Sequence, residues 1–227
     1  MKIGGFQKIS LSDYPGTICA VVFTQGCNFR CPYCHNPELV DPDRYSPLID
    51  EAEVLAFLKK RRGKIEAVTL TGGEPTIQRD MKRFLSLLRK MGFRIKLDTN
   101  GSRPDVLKKI IDQELIQYVA MDLKGPLNHY GRIVCAKAQT ADIIHSIDLI
   151  RSSGIEREFR TTAVLTLLNP DDVLETARLI APTDRYILQT FVPSKTLDPA
   201  FLHEQPYPDE QLAKLIFYSC QKIVLLF

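Results

Sequence analysis

Short apolar runs alternate with amphipathic stretches along almost the whole chain, and that alternation limits the folds open to it. Six runs read as strands: Ile18 to Phe23, Ile65 to Thr71, Phe93 to Leu97, Ile116 to Leu123, Glu158 to Leu165 and Tyr186 to Phe191. Helical patterns lie between them. Asp50 opens one that runs to about Arg62, with Glu53 three residues on in a capping-box arrangement. Others span Ile77 to Met91, Pro104 to Asp112, Thr140 to Ser153 (closed by Gly154) and Pro170 to Ile180 behind a capping Asn169. The pattern predicts a last helix from Asp209 to about Ile223. Strand and helix in regular turn argue for parallel βαβ units. A sheet of six such units is either a doubly wound α/β layer or a partial barrel.

Residues 2–9 read as a short strand or extended arm, and Ser12-Asp13-Tyr14-Pro15-Gly16 as a turn, with Pro and Gly at its centre. The arm covers residues 1–16. A Pro-rich loop runs from Pro37 to Pro47. No linker marks a boundary, so one domain over residues 1–227 is expected. The apolar end, Ile223 to Phe227, calls for burial or pairing.

Charge excludes some functions. With 30 Lys+Arg against 27 Asp+Glu, the net charge of +3 is too weak to point to nucleic acid or an anionic membrane. The basic run Lys59 to Lys64 reads as a solvated helix end. No 18-residue apolar run and no apolar signal segment are present, so no membrane span is expected. Three of the six cysteines are scattered, which argues against a disulfide framework and for a reducing cytoplasm.

The other three crowd together. Cys27, Cys31 and Cys34 follow the first buried run in a C-x3-C-x2-C pattern, with no fourth cysteine nearby. A closed zinc site needs a fourth ligand, and His35, adjacent to Cys34, is poorly placed to share the same ion. Three thiolates can instead hold three corners of a cuboidal iron–sulfur cluster and leave one iron open. Cys19, inside an apolar run, reads as core packing.

In α/β folds, active residues collect at the carboxyl ends of the strands. Here those ends carry the three cysteines, Gly72-Gly73-Glu74-Pro75, Asp98-Thr99-Asn100-Gly101 and Asp122-Leu123-Lys124, and the last two strands contain Arg160-Thr161-Thr162 and Gln189-Thr190. Turn chemistry does not explain Asp98, Asp122 and Lys124 at one rim.

The cysteine loop, with Tyr33 just before its last cysteine, together with Gly72-Gly73-Glu74-Pro75, resembles the two motifs of the radical S-adenosylmethionine (SAM) enzymes. Asp13-Tyr14-Pro15-Gly16, the run Phe23 to Pro37, Asp98-Thr99-Asn100-Gly101 and Asp122-Leu123-Lys124 look like the activating enzymes of glycyl-radical proteins, above all those of anaerobic ribonucleoside-triphosphate reductase. The resemblance covers nearly the whole chain. It implies a partial (β/α)6 barrel, a [4Fe–4S] cluster on Cys27, Cys31 and Cys34, and SAM on the open iron.

The same resemblance implies that Tyr33, Gly72, Gly73, Glu74, Asp98, Thr99, Asp122, Lys124, Arg160 and Gln189 contact SAM, or a monovalent cation beside its carboxylate. Gln189 stands where the pyruvate formate-lyase activase has a histidine. The implied reaction is reductive cleavage of SAM to a 5′-deoxyadenosyl radical, which takes a hydrogen from a glycine of a partner enzyme. A flavodoxin- or ferredoxin-type protein would supply the electron. The alternative is a radical SAM enzyme acting on a small molecule, in deazapurine or cofactor synthesis.

Overall fold

The computed structural model describes residues 1–180, 182–208 and 210–211, together with the backbone of residues 223–226. Among them, eight strands form one sheet in chain order: β1 (Ile3–Ser10), β2 (Cys19–Thr24), β3 (Ala67–Gly72), β4 (Arg94–Thr99), β5 (Tyr118–Asp122), β6 (Glu156–Ala163), β7 (Tyr186–Thr190) and β8 (Ile223–Leu226). β1 pairs antiparallel with β2; every later neighbour pairs parallel. Helices α1 (Pro37–Val40), α2 (Glu51–Lys60), α3 (Met81–Lys90), α4 (Pro104–Asp112), α5 (Tyr130–Ile133), α6 (Thr140–Ser152) and α7 (Pro170–Arg178) lie between the strands. The fold is α/β with a mostly parallel sheet, and the six expected units are β2 to β7 with their crossovers.

Several local expectations shift. The helix expected from Ile77 starts at Met81, because Pro75–Ile77 makes a 3-10 turn capped by Glu74. The Pro-rich loop contains α1 and a second 3-10 turn, Pro42–Arg44. Asp50 caps α2 by accepting from the Ala52 N–H at 2.9 Å. The reciprocal box forms instead at α7, between Asn169 and Asp172. The fourth and fifth runs are shorter or shifted as strands: β5 begins at Tyr118, and β6 begins at Glu156 and ends at Ala163. The expected last helix lies mostly outside the described residues, but residues 223–226 pair as a strand with β7.

Strand alternation divides the sheet into two unlike faces. One face, with Ala20, Val22, Val68, Leu70, Ile95, Leu97, Val119, Met121 and Phe159, packs with Phe84, Leu88, Leu107, Ile110, Ile143 and Ile147 of the helices into the main core. The other face starts apolar, with Cys19, Val21, Ala67, Tyr118 and Tyr14 in a second cluster. It then turns polar through Lys96, Asp98, Asp122, Glu158, Arg160 and Thr162. The turn at Asp13-Tyr14 closes the amino end of this face. Its Asp13 carbonyl accepts from Thr69 Oγ1 at 3.2 Å and Lys96 Nζ at 2.8 Å.

The basic run at residues 59–62 and 64 is exposed, as a solvated helix end should be. Among the described residues no helix is long and apolar enough to cross a membrane. Cys19 is buried, Cys135 is exposed, and Cys220 lies outside the described residues.

Candidate cofactor site at the carboxyl ends of the strands

A cavity of about 280 Å³ opens at the carboxyl ends of the parallel strands. Cys27, Cys31, Cys34 and all ten expected cofactor contacts line it: Tyr33, Gly72, Gly73, Glu74, Asp98, Thr99, Asp122, Lys124, Arg160 and Gln189. Residues scattered over more than 160 positions of sequence thus meet because each lies in the carboxyl half of a strand of one sheet or in the loop that follows it.

The cysteine loop is held from three sides. Main-chain bonds tie its entry to the next strand's turn: Glu74 N–H donates to the Gly26 carbonyl and Gly73 N–H to the Thr24 carbonyl, both at 2.8 Å. Asn28 Oδ1 accepts from Asn100 Nδ2 at 3.0 Å, and Asn28 Nδ2 donates to Ser102 Oγ at 2.8 Å, linking the loop to the end of β4. On the far side, His35 stacks on Phe191 with ring centroids 5.2 Å apart, and its Nε2 lies 2.9 Å from the Val192 carbonyl. Asp198 N–H donates to the Pro32 carbonyl at 2.9 Å. The segment after β7 therefore grips the loop that follows β2.

The pair Gly72-Gly73 has to be glycine for the chain's own sake. A Cβ on Gly72, whose φ is +114°, would lie 2.4 Å from Thr24 N; one on Gly73 would lie 2.1 Å from the Gly26 carbonyl oxygen. The residue pair lets two strand ends touch, and it brings its main chain to the cavity as a consequence. Glu74 is a tie as well. Its buried carboxylate accepts from Thr76 N–H at 3.0 Å, Thr76 Oγ1, Thr99 Oγ1 at 2.8 Å and Asn100 N–H at 2.7 Å. Burial raises its pKa, opposed by those donors.

The opposite wall is ionic. Arg160 Nε donates to Asp122 Oδ1 at 2.8 Å, and its Nη1 to Asp98 Oδ2 at 3.3 Å. Lys124 Nζ donates to Asp122 Oδ2 at 3.1 Å. Burial acts to raise the Asp122 pKa, but the Arg160 and Lys124 charges outweigh it and hold the carboxyl well below the usual range. Burial likewise opposes the Lys124 and Arg160 charges, and the facing carboxylates more than offset it, so both stay protonated. Arg160 points inward and is mostly buried, not solvent-facing. Both oxygens of Asp122 and both of Asp98 already face protein cations, Lys96 being the one at Asp98 Oδ1, and Thr99 Oγ1 is engaged with Glu74 and the Gly101 N–H. A monovalent cation beside these oxygens would have to compete with Arg160 and Lys124.

The thiols sit in the apolar half. Burial pushes Cys27 up to about 12 and Cys31 up to about 11, and raises Cys34. Left alone they are neutral; a bound cationic group would turn them into thiolates. Among the described residues no three His, Cys, Asp or Glu side chains are set to hold a single metal ion. The donor set, three soft ligands on one wall of a cavity whose other wall carries charged and amide groups, fits a multi-iron cluster with an organic zwitterion beside it. The Tyr33 hydroxyl is buried there without a hydrogen-bond partner.

Thr162, opposite Gln189 in the β6–β7 register, and Asn100 also line the cavity; both stand at the strand ends that read as polar from the sequence but not among the expected cofactor contacts. A period-two signal was available for the first: Glu158, Arg160 and Thr162 alternate along one strand. His129, 3.7 Å from Asp172, is not among the cavity-lining residues.

The Radical SAM superfamily profile matches residues 21–180. A protein of Methanocaldococcus jannaschii, whose name describes it as a candidate glycyl-radical enzyme activating enzyme, is 32% identical over 214 residues, covering 92% of this chain and 87% of its own. A 7-carboxy-7-deazaguanine synthase of Methanopyrus kandleri is 37% identical over 127 residues, covering 47% of this chain and 49% of its own. Among solved structures, a radical SAM methyltransferase from Sphaerobacter thermophilus superposes with a TM-score of 0.72 at 14% identity, covering 94% of this chain and 67% of that one. This last likeness concerns the fold alone.

Proposed function

The chain belongs to the radical SAM superfamily, and on that premise we propose that it is an activase that installs a glycyl radical on a partner enzyme. The proposed partner is anaerobic ribonucleoside-triphosphate reductase, in a reducing cytoplasm, with the chain acting as one catalytic unit. The observation that carries the activase reading is likeness to a relative of that name over 92% of the chain, not over the cofactor motifs alone.

A bound [4Fe–4S] cluster and SAM supply reductive cleavage of the SAM sulfonium and the resulting 5′-deoxyadenosyl radical. Cys27, Cys31 and Cys34 are the cluster ligands. The main-chain carbonyls of Gly72-Gly73 take the SAM ammonium group, since the Glu74 carboxylate is already occupied by four donors. Lys124 and Arg160 keep N–H groups beyond those given to Asp98 and Asp122, and these suit the SAM carboxylate. That assignment makes a monovalent cation dispensable. Gln189 and Thr162 serve the ribose hydroxyls. Electrons arrive from a flavodoxin- or ferredoxin-type donor.

A second reading, a small-molecule enzyme of deazapurine synthesis, is favoured by the higher identity to the M. kandleri synthase, although over only half the chain. Anaerobic reconstitution with iron and sulfide, then dithionite, SAM and the reductase, tests the choice by EPR. A glycyl-radical signal on the reductase is expected. SAM cleavage without that signal, but coupled to turnover of a deazapurine precursor, would overturn the activase reading.

A further inference from the structure

Behind the ionic wall lie two charged side chains that do not line the cavity. Lys96 and Glu158 are almost fully buried, at 4% and 5% side-chain exposure. They share the polar face of the sheet with the wall residues: Lys96 is two positions before Asp98 on β4, and Glu158 two before Arg160 on β6. Lys96 Nζ donates to the Asp13 carbonyl and stands 3.3 Å from Asp98 Oδ1 and 3.6 Å from Glu158 Oε1. Glu158 Oε2 accepts from the Tyr118 hydroxyl at 2.8 Å, and Oε1 lies 3.9 Å from Arg160 Nη1. Arg185 approaches Glu158 at 3.8 Å from a more exposed position.

Six of these side chains carry balanced charge, with the more exposed Arg185 at the edge of the set. Lys96, Arg160 and Lys124 give three formal positive charges; Asp98, Asp122 and Glu158 give three negative. Arg160 is the member with competing claims. Asp122 holds its Nε, Asp98 its Nη1 and Nη2, and Glu158 stands behind Nη1. A positive charge removed from such a set leaves a carboxylate uncompensated in a poorly solvated place, and the remaining cations must rearrange to meet it.

Resting on the radical SAM reading, we propose that Lys96 and Glu158 are positioning residues that set the aim of Arg160 in the cavity wall. Lys96 neutralises the rear of Asp98 and of Glu158, which leaves Arg160 free to hold Asp122. Without the Lys96 charge, two buried carboxylates draw Arg160 backward. Asp122 then rests on Lys124 alone and pulls that ammonium away from the ligand. The cysteine loop, on the other wall, is untouched by this change.

The test is a charge-balance cycle on the full chain. Lys96→Met removes one positive charge at similar length, and is expected to weaken SAM binding to the reconstituted, oxidised protein about tenfold, with iron content and cluster absorbance unchanged. Adding Glu158→Gln restores the balance at two against two, and is expected to bring affinity back to within about threefold of the parent. Glu158→Gln alone should bind SAM no more weakly than the parent. Equal affinity in parent and Lys96→Met, or a double variant weaker than Lys96→Met, would overturn the proposal, since a spacer role predicts additive losses. If Lys96→Met does not fold, loss of affinity in Glu158→Gln alone decides against it. A parent that binds no SAM defeats the radical SAM reading instead. The same cycle read by denaturant unfolding without SAM must still show favourable Lys96–Glu158 coupling, and additivity there contradicts the charge balance.

Discussion

The two walls of the cavity are built from opposite materials. The cysteine wall is a loop whose thiols are neutral, buried at Cys31 and half-buried at Cys27 and Cys34, and which neighbouring segments hold by main-chain and amide bonds. The strand-end wall is rigid sheet, and its side chains are ions that hold one another. The difference says what each wall waits for. Neutral soft donors await a cationic inorganic group that ionises them. A balanced ionic lattice can accept a zwitterion by exchanging partners, without burying net charge.

Substitutions should therefore separate the walls. The largest effect is expected from Cys31→Ala, which should abolish both cluster assembly and 5′-deoxyadenosine formation while the far-ultraviolet circular dichroism stays that of the parent. Formation of 5′-deoxyadenosine at the parental rate would break the assignment of that wall. Next comes Gly73→Ala at the seam between the walls. Its Cβ would press on the Gly26 carbonyl, directly before Cys27. A loss of about 3 kcal/mol in denaturant unfolding is expected, together with reduced iron content. Full stability would mean that the seam yields without cost.

Gln189→Ala touches only the ligand side of the strand-end wall. SAM affinity should fall by about fivefold, the worth of one hydrogen bond, with cluster spectra unchanged. The smallest effect at neutral pH is in the acid limb of stability. The folded Asp122 pKa lies below its unfolded value of about 3.9. Its contribution is therefore complete above about pH 4 and is lost as pH falls through the folded value. Unfolding curves of Asp122→Asn should decline less steeply below about pH 4 than the parent's, whereas Cys31→Ala should keep the parental slope.

The same contrast explains what could be read from the chain. The cysteine wall was legible because its information is local: three donors within eight residues. The strand ends were legible through a topological rule, which placed Asp98, Asp122, Lys124 and Arg160 at one rim. What lies behind that rim was not. The third run was expected to stop at Leu97, where its apolar residues end, yet β4 continues through Asp98 to Thr99. Buried charge on a strand becomes acceptable only when the neighbouring strands supply the counter-ions, and Lys96, Asp98 and Glu158 find theirs across the sheet. The need for glycine at 72 and 73 was likewise expected from a ligand, and comes instead from contact with Thr24 and Gly26. The parallel pairing of residues 223–226 had no local signal beyond an apolar run that called for a partner.

The central claim is that both walls serve one composite site, with SAM bound directly to an open iron of the cluster. The low-temperature EPR spectrum of the dithionite-reduced, reconstituted protein, recorded without and with SAM, tests it most directly. A [4Fe–4S]⁺ signal whose g-values shift on adding SAM is the predicted result; a cluster signal that SAM leaves unchanged at saturating concentration would contradict the account.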